Sequence, residues 1–253
     1  MDDARGSALL ETRNLCRSFG GVSATRDVSI RLAPGELHAV IGPNGAGKST
    51  LVNLLAGELA PISGTVHLAG EDVTRLPVHA RVKHGIARSF QRTNIFKDMT
   101  ALENVRLAAQ AVHATPGSLF RSAWRARDLV SRAQTALARA GLEDRSAAIA
   151  GTLSHGAQRQ LEIAMTLATS PKVLLLDEPL AGMGQEEGLR ISALLKALSK
   201  DHAILLIEHD MDFVFKVADW MTVLVEGAVL AEGTPDAVRT NAAVRRAYLG
   251  AQR

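Results

Sequence analysis

The chain has 253 residues, 47% hydrophobic and 22% charged, an ordinary composition for a globular protein with one core or a core carrying an inserted lobe. No apolar run approaches the roughly 20 residues that span a bilayer, and we expect no secretory signal at the start. Cys16 is the only cysteine, which excludes an internal disulfide and fits a reducing cytoplasm, and a net charge of +3 does not favour a nucleic-acid partner.

The first part of the chain predicts short strands followed by one helix. Residues 9–41 alternate apolar segments with turns at 20–21 and 34–35, and their last strand, 37–41, runs into a glycine-rich loop. Residues 48–56 place leucines on one helical face, and Gly57 is expected to end that helix. Strands are also predicted at 65–68, before a turn at 69–72, and at 86–90.

The rest of the chain predicts a helical insertion and then a return to alternating strands and helices. Residues 91–169 carry little strand signal, and residues 121–145 are rich in arginine and alanine. Later strands are predicted at 173–176, 203–207 and 221–225, and helices at 185–199, 211–218 and 236–249. This alternation predicts an α/β fold whose largely parallel sheet is covered on both faces. We expect one domain, with 1–90 and 170–253 forming the core and 91–169 the helical lobe.

Residues 42–49 match the pattern G-x-x-x-x-G-K-[ST] in full. Glycines let backbone N–H groups surround a triphosphate, and the following helix directs its positive end at the phosphates. Lys48 is expected to reach the β- and γ-phosphates, and Ser49 to give a hydroxyl to Mg²⁺. The alternative is a simple glycine turn, but a strand before it and a helix after it favour the phosphate loop. The predicted nucleotide-binding residues here are Gly42, Pro43, Asn44, Gly45, Ala46, Gly47, Lys48, Ser49 and Thr50.

Two acidic residues, Asp177 and Glu178, end the hydrophobic strand predicted at 173–176. Ligands are expected at the carboxyl ends of parallel strands, so Asp177 is predicted to hold Mg²⁺, directly or through water. Glu178 points to the other side of the chain and is predicted to polarise the attacking water. The alternative is an acidic strand end exposed to solvent. The complete phosphate loop earlier in the chain favours the functional interpretation over it.

Residues 153–158 (LSHGAQ) stand shortly before these acids and resemble the signature motif of ABC ATPases, usually leucine, serine, glycine, glycine, glutamine. Together with the phosphate loop, Phe90-Gln91 and Glu208-His209-Asp210, they follow the motif order of that family. The resemblance extends from Leu9 to the tail. It implies a P-loop NTPase of ABC type, with a mainly parallel core sheet, an N-terminal antiparallel β part and an inserted helical lobe that contains the signature motif.

The resemblance also implies roles for single residues. Phe19 stands where an aromatic residue packs on adenine, and Gln91 where a glutamine senses Mg²⁺ or water and links the nucleotide to the helical lobe. His209 matches a histidine that contacts the γ-phosphate. Ser154 and Gly156 match residues that cover the γ-phosphate held by the opposing subunit. Other interpretations stay open: Phe19 as a core aromatic residue, Ser154 as a helix N-cap, and His209 as a structural or solvated residue.

Three positions depart from the usual pattern. His155 replaces the first signature glycine, and Ala157 stands at the glutamine position, with Gln158 one residue later. Gly184 occupies the end of the loop after Glu178, where similar proteins often have aspartate. That loop crosses the dimer interface in similar proteins, so these positions bear on communication between two ATP sites.

Within the family, several segments resemble the ATPases of branched-chain amino acid importers: 19–21, 85–92, 96–100, 102–105, 207–211 and 247–250. The resemblance implies ATP and Mg²⁺ as ligands and a second ATPase subunit, the same or different, as partner. It further implies membrane permease subunits, an external solute-binding protein that acts indirectly, and a peripheral location on the cytoplasmic face of the bacterial inner membrane. ATPases of urea, amide and aromatic amino acid importers are very similar.

Other classes of ABC ATPase share parts of this pattern. A lipid or lipopolysaccharide exporter ATPase can share this short layout. A soluble ABC protein of DNA repair or translation is a second alternative, although the chain has neither the long coiled coil nor the duplication typical of those proteins. The arginines of 121–145 indicate a solvated helix face rather than a nucleic-acid site, because aromatic residues are few. Glu178 and His209 argue against an ATP sensor that does not hydrolyse.

Overall fold

The computed structural model describes residues 7–89, 94–113 and 122–249. Gln91, predicted to link the nucleotide to the helical lobe, lies outside the described residues together with the preceding Phe90. The strands in the described ranges are β1 (Leu10–Phe19), β2 (Val22–Val28), β3 (Arg31–Leu32), β4 (Leu37–Ile41), β5 (Ser63–Leu68), β6 (Glu71–Asp72), β7 (Ile86–Arg88), β8 (Val173–Asp177), β9 (Ala203–Ile207), β10 (Trp220–Val225) and β11 (Ala228–Gly233). The helices there are α1 (Lys48–Ala56), α2 (Val78–His84), α3 (Ala101–His113), α4 (Ser122–Arg139), α5 (His155–Leu167), α6 (Gln185–Leu198), α7 (Met211–Val217), α8 (Pro235–Thr240) and α9 (Ala242–Leu249).

Six strands form the central sheet in the order β11-β10-β4-β9-β8-β7. All neighbouring pairs are parallel except β10 and β11, which form an antiparallel edge. The mainly parallel sheet predicted from the alternation of strands and helices is therefore confirmed. Because β4, β8 and β9 run in the same direction, the segments that follow them emerge at one edge of the sheet.

The N-terminal strands form a second, antiparallel sheet in the order β2-β1-β5-β6, with β3 pairing to β1. The predicted antiparallel part is thus present. β6 follows β5 after a short turn and was not predicted, since two acidic residues carry no strand pattern.

The central strands bury side chains on both faces, as expected for strands that read as continuous apolar runs. On β8, Leu174 and Leu176 join a core shared with α3 to α7, whereas Val173 and Leu175 join a core shared with α1 and the antiparallel sheet. The residues of β9 alternate in the same way. Because successive side chains of a strand point to opposite faces, the two faces of the sheet pack into two different hydrophobic cores.

Helices α3, α4 and α5 lie in the region where the sequence predicted a helical insertion, and they pack on one another. Helix α1 has its predicted bounds and ends at Gly57, which is left-handed. Arg81, 1% exposed, donates to the carbonyl oxygens of Leu54 and Leu55 at that helix end. No helix in the described ranges has the length and hydrophobicity to cross a membrane.

Two further elements were not predicted, and the tail differs in detail. Helix α2 and strand β11 are short, and their apolar residues do not form a clear pattern. The single tail helix predicted at 236–249 is two helices, α8 and α9. Asn241 interrupts them because its side-chain oxygen accepts the N–H groups of Ala243 (2.8 Å) and Val244 (3.3 Å), which starts a new helix.

Candidate active site

The predicted phosphate loop joins the end of β4 to the start of α1. Gly47 caps the helix in the left-handed region, with a φ of 99°. As a glycine, the N-cap residue has no side chain that could cap this end, and the first turn of α1 contains no acidic residue. The positive end of the helix dipole therefore faces the loop uncompensated, which suits a bound phosphate.

Close backbone approaches explain two of the loop glycines. A Cβ atom on Gly47 would lie 2.1 Å from the carbonyl oxygen of Ala24 in β2. A Cβ atom on Gly42 would lie 2.2 Å from the carbonyl oxygen of Leu224 in β10. Any side chain at either position would thus displace a neighbouring strand from the loop.

The turn between β10 and β11 also holds the loop, since the N–H of Gly227 donates to the carbonyl oxygen of Ala46 at 3.1 Å. The sequence does not point to Gly227 or Ala24, because contacts made by the main chain leave no side-chain signal. The other predicted loop residues lie toward the open side: Asn44, Gly45 and Ser49 are exposed, and Pro43 and Thr50 are half-buried.

The Lys48 side chain folds into the loop and is only 8% exposed. Its Nζ donates to the carbonyl oxygens of Gly42 (2.7 Å) and Pro43 (3.0 Å). Burial lowers the pKa of Lys48, and the negative charges of Glu178 and Asp177 partly oppose that shift. The ammonium group thus lies in the loop, in the field of the two acids predicted to act with it.

Asp177 ends β8 and is 3% exposed. Its Oδ2 lies 3.1 Å from Nη2 of Arg88, and the same guanidinium group contacts Asn53 and, at 3.0 Å, Glu58. Burial raises the pKa of Asp177, and the charge of Arg88 opposes that shift. Arg88 was not predicted, because at the end of a short apolar strand it resembles an ordinary solvated residue.

Glu178 follows the strand in a left-handed conformation with a φ of 47°. Its Oε1 lies 3.8 Å from Nδ1 of His209, and its N–H donates to the carbonyl oxygen of Ile207 at 2.9 Å. Two residues predicted from separate motifs are therefore adjacent, with the partly exposed Glu178 carboxylate beside an exposed imidazole.

Ser154 is the N-cap of α5, and its Oγ accepts the N–H of Ala157 at 3.3 Å. The N-cap interpretation is confirmed, and it is compatible with an anion-binding role. The carboxylate of Glu187 in α6 already contacts this helix end. Its Oε1 lies 3.2 Å from the amide nitrogen of Gly156 and 3.3 Å from Ser154 Oγ.

The three departures from the usual pattern lie around this contact. His155 is exposed and lies near the loop after Glu178. A Cβ atom added to Gly182 in that loop would be 3.7 Å from the existing Cε1 atom of His155. Gly184 is the N-cap of α6 and offers no side chain to cap it, as an aspartate would. Gln158 turns back to donate to the carbonyl oxygen of Leu153 at 3.1 Å.

A buried ion pair on α5 connects the signature helix to two other segments. Arg159 and Glu162 are 2.6 Å apart, and both side chains are 5% exposed. Arg159 Nη2 donates to the carbonyl oxygen of Asp177 at 2.9 Å. Glu162 Oε1 accepts the N–H of Asn94 at 2.7 Å. The sequence did not single out these residues, because charged residues in a helix usually face solvent.

Phe19 ends β1 and is 47% exposed, which excludes the interpretation of a core aromatic residue. The guanidinium carbon of Arg17 lies 5.1 Å from the ring centroid. Adenine stacking on this exposed ring stays a prediction.

The structure brings Lys48, Asp177, Glu178 and His209 to the edge of the sheet where β4, β8 and β9 end. Ser154 and Gly156 instead line a separate cavity of about 300 Å³ to which no residue of the phosphate loop contributes. Gln91 falls outside the described residues.

Comparisons with known proteins agree with this geometry. The family model described as ABC transporter matches residues 25–181, more than half of the chain. The chain belongs to the ABC transporter family. A second model, branched-chain amino acid ATP-binding cassette transporter, matches residues 228–253. As an ATP-binding cassette, the chain is an ATPase, and ATP is its nucleotide.

Two relatives of this ABC ATPase span nearly the same length. The high-affinity branched-chain amino acid transport ATP-binding protein BraF of Pseudomonas aeruginosa is 40% identical over 250 residues, covering 96% of this chain and 98% of BraF. The lipopolysaccharide export system ATP-binding protein LptB of Acidithiobacillus ferridurans is 31% identical over 247 residues, covering 97% of this chain and 98% of LptB.

Solved structures show the same fold. A nucleotide-free ATP-binding cassette from an ABC transporter superposes with a TM-score of 0.85 at 32% identity, covering 96% of this chain and 99% of that one. The dimeric bacterial ABC transporter cassette MJ0796 gives a TM-score of 0.75 at 26% identity, covering 89% of this chain and 98% of that one. The P-loop NTPase fold of ABC type expected from the sequence is confirmed.

Proposed function

We propose that this ABC ATPase energises the import of branched-chain amino acids or related small solutes such as amides, urea or aromatic amino acids. The observation that supports ATP hydrolysis is that four side chains meet where three parallel strands end: Lys48, Asp177, Glu178 and His209. The importer assignment is supported by the higher identity to BraF than to LptB and by the match of residues 228–253 to the branched-chain model.

Each residue of the site has a role in phosphoryl transfer. The loop N–H groups and Lys48 bind the β- and γ-phosphates, and Phe19 stacks on the adenine. Glu178 accepts the proton of the attacking water, and His209 contacts the γ-phosphate. Positioning and charge neutralisation supply most of the rate enhancement, because phosphoryl transfer needs little covalent work from the protein.

The residues present also fit Mg²⁺. Ser49 would offer a hydroxyl, Asp177 a buried carboxylate and Gln91 an amide oxygen. No group of three or more histidine, cysteine or acidic side chains converges in the part of the chain that the structure describes. A site in which protein, substrate and water all supply ligands suits Mg²⁺, because this ion keeps several waters and binds one or two carboxylates plus substrate phosphates. Bound there, Mg²⁺ would neutralise charge that develops on the phosphates.

The site is completed by a second ATPase subunit, identical or different. Subunits of this family dimerise and work with membrane permeases. Ser154 and Gly156 would cover the γ-phosphate held by the partner, in keeping with the separate cavity that they line, to which their own phosphate loop contributes no residue. We place the core in 1–90 and 170–253 and the lobe in 91–169, so that closure of the dimer acts on the permeases through the lobe after Gln91.

The transporter would also depend, indirectly, on a periplasmic or extracellular solute-binding protein. We place the ATPase peripherally on the cytoplasmic face of the bacterial inner membrane, without a nucleic-acid partner. The lipopolysaccharide exporter is the second candidate, because LptB matches over a similar length. A soluble ABC protein without a transport role is the remaining alternative, whereas the names of BraF and LptB refer to transport and export.

Deleting the gene and measuring uptake of radiolabelled leucine, isoleucine and valine tests the proposal. Uptake should be lost, and wild-type protein but not the Glu178→Gln variant should restore it. Normal uptake of all three, with altered outer-membrane lipopolysaccharide, would instead support the exporter. Loss of urea or amide uptake alone would support an importer whose solute is urea or an amide rather than a branched-chain amino acid.

A further inference from the structure

Glu208 lies directly after β9 and carries a carboxylate that is almost completely buried, with the residue 1% exposed. Its Oε1 accepts the N–H of Leu180 at 2.9 Å. Its Oε2 accepts the N–H of His209 at 3.1 Å. One side chain therefore binds the main chain of two separate segments.

These segments carry two residues of the proposed reaction. Leu180 stands two positions after Glu178 in the loop that leads to Gly184, and His209 faces the Glu178 carboxylate. Oε2 of Glu208 is 3.9 Å from Nδ1 of His209, close to the 3.8 Å that separates the same nitrogen from Glu178. The imidazole thus lies between a buried and a partly exposed carboxylate.

A carboxylate at this position is costly, which makes its presence informative. Burial raises the pKa of Glu208, and the amides of Leu180 and His209 only partly oppose that shift. Because both oxygens accept N–H groups, the ionised form fits the contacts better than the protonated form. A neutral side chain of similar size would avoid the cost of burying a charge.

We propose that Glu208 is a positioning residue for ATP hydrolysis. It holds His209 and the loop after Glu178 in fixed relation to each other and does not touch the substrate. The inference rests on the proposed roles of Glu178 and His209.

The Glu208→Gln variant of the full chain tests the proposal. Glutamine has the same shape, but its oxygen can accept only one of the two N–H groups while its NH₂ faces the other. Small misplacements of reacting groups cost up to about 100-fold in rate. We expect ATP turnover to fall by about 10- to 100-fold with no change in ATP affinity measured by calorimetry.

Glu36→Gln is the matched control. Glu36 is also a buried carboxylate, 8% exposed, that accepts a main-chain N–H, that of Ala33 at 3.2 Å. It precedes β4 and therefore lies at the opposite edge of the sheet from the site. We expect its turnover to equal that of the wild type, and the two variants to lose similar thermal stability. Turnover of Glu208→Gln equal to that of Glu36→Gln would overturn the proposal.

A double-mutant cycle with His209→Ala adds a readout that a merely structural role would not move. If Glu208 acts through His209, the Glu208→Gln change should slow the His209→Ala protein much less than it slows the wild type. The same factor of loss in both backgrounds would overturn the proposal. If His209→Ala itself turns over as fast as the wild type, the proposed role of His209 fails, and that outcome is distinguishable from a failure of Glu208 alone.

Discussion

The carboxylate of Glu187 is bound by the amide of Gly156, with Oε1 3.2 Å from the amide nitrogen. A Cβ atom at position 156 would lie 2.7 Å from the same oxygen, so a larger residue there would push the Glu187 carboxylate out of its present position. Glu187 therefore places an anion on the helix end that we propose covers the partner's γ-phosphate. On this proposal, the phosphate would displace the Glu187 carboxylate as the dimer closes.

The first prediction concerns that displacement. In a Glu178→Gln background that retains ATP, Glu187→Gln should lower the ATP concentration needed for dimerisation by about 5-fold, because a neutral amide competes less with phosphate. Sedimentation at increasing ATP concentrations measures the effect. Glu186→Gln is the control, since the side chain of that exposed neighbour pairs instead with Arg190, at 3.8 Å. An unchanged or higher ATP requirement for Glu187→Gln would show that the contact does not compete with phosphate.

Lys48→Ala should weaken ATP binding by about 10- to 100-fold, because charge-assisted hydrogen bonds to the β- and γ-phosphates are lost. Calorimetric titration of wild type and variant measures this change. Lys200→Ala removes an exposed lysine and should leave ATP affinity unchanged. If Lys48→Ala kept wild-type affinity and turnover, the assignment of the phosphate loop would be wrong.

Glu178→Gln should bind ATP normally but hydrolyse it about 10²- to 10⁴-fold more slowly, because the amide cannot accept the proton of the attacking water. The variant should accumulate as an ATP-bound dimer, which size-exclusion chromatography with light scattering detects. Near-normal turnover would place the base elsewhere, and the adjacent His209 is then the next residue to test.

Mixing two inactive variants tests whether Ser154 acts across the subunit boundary. A mixed dimer of Lys48→Ala and Ser154→Arg has one site with both defects and one site with an intact phosphate loop and an intact signature motif. The mixture should hydrolyse ATP faster than either variant alone. A role as N-cap only would make Ser154→Arg a local defect of about 1 kcal/mol.

The mixing result is interpreted together with crosslinking. Mixed dimers that form but gain no activity would count against the trans role or show that the two sites fire together. If the chain forms no homodimer, the same mixture should be prepared with a second, different ATPase subunit as the partner.

The buried pair of Arg159 and Glu162 gives a prediction about stability. Glu162→Leu should lower the free energy of unfolding by about 3 kcal/mol, because it leaves the Arg159 charge buried without this partner. The double variant with both Arg159→Leu and Glu162→Leu should be less destabilised than the Glu162→Leu variant. Urea denaturation measures both. A double variant as unstable as the sum of the two single variants would show that the pairing itself contributes little.

The sequence by itself determined the features that depend only on residues close together in the chain. The phosphate loop, the pair Asp177 and Glu178 and the bounds of α1 depend on neighbouring residues, so spacing and period were enough to predict them. The N-cap role of Ser154 is local in the same sense, since its partner Ala157 is three residues away. The family resemblance added roles for Phe19, Gln91 and His209 that no local pattern carries.

Only the tertiary structure decided which distant groups meet. Arg88 reaches Asp177 across 89 residues, Gly156 meets Glu187 across 31, and Leu180 meets Glu208 across 28. Charged residues such as Arg88, Arg159 and Glu208 look like solvent-facing residues in sequence, because their burial depends on which strands become neighbours. The order of the parallel strands brings their carboxyl ends together, and side chains from remote segments acquire partners there that sequence spacing does not specify.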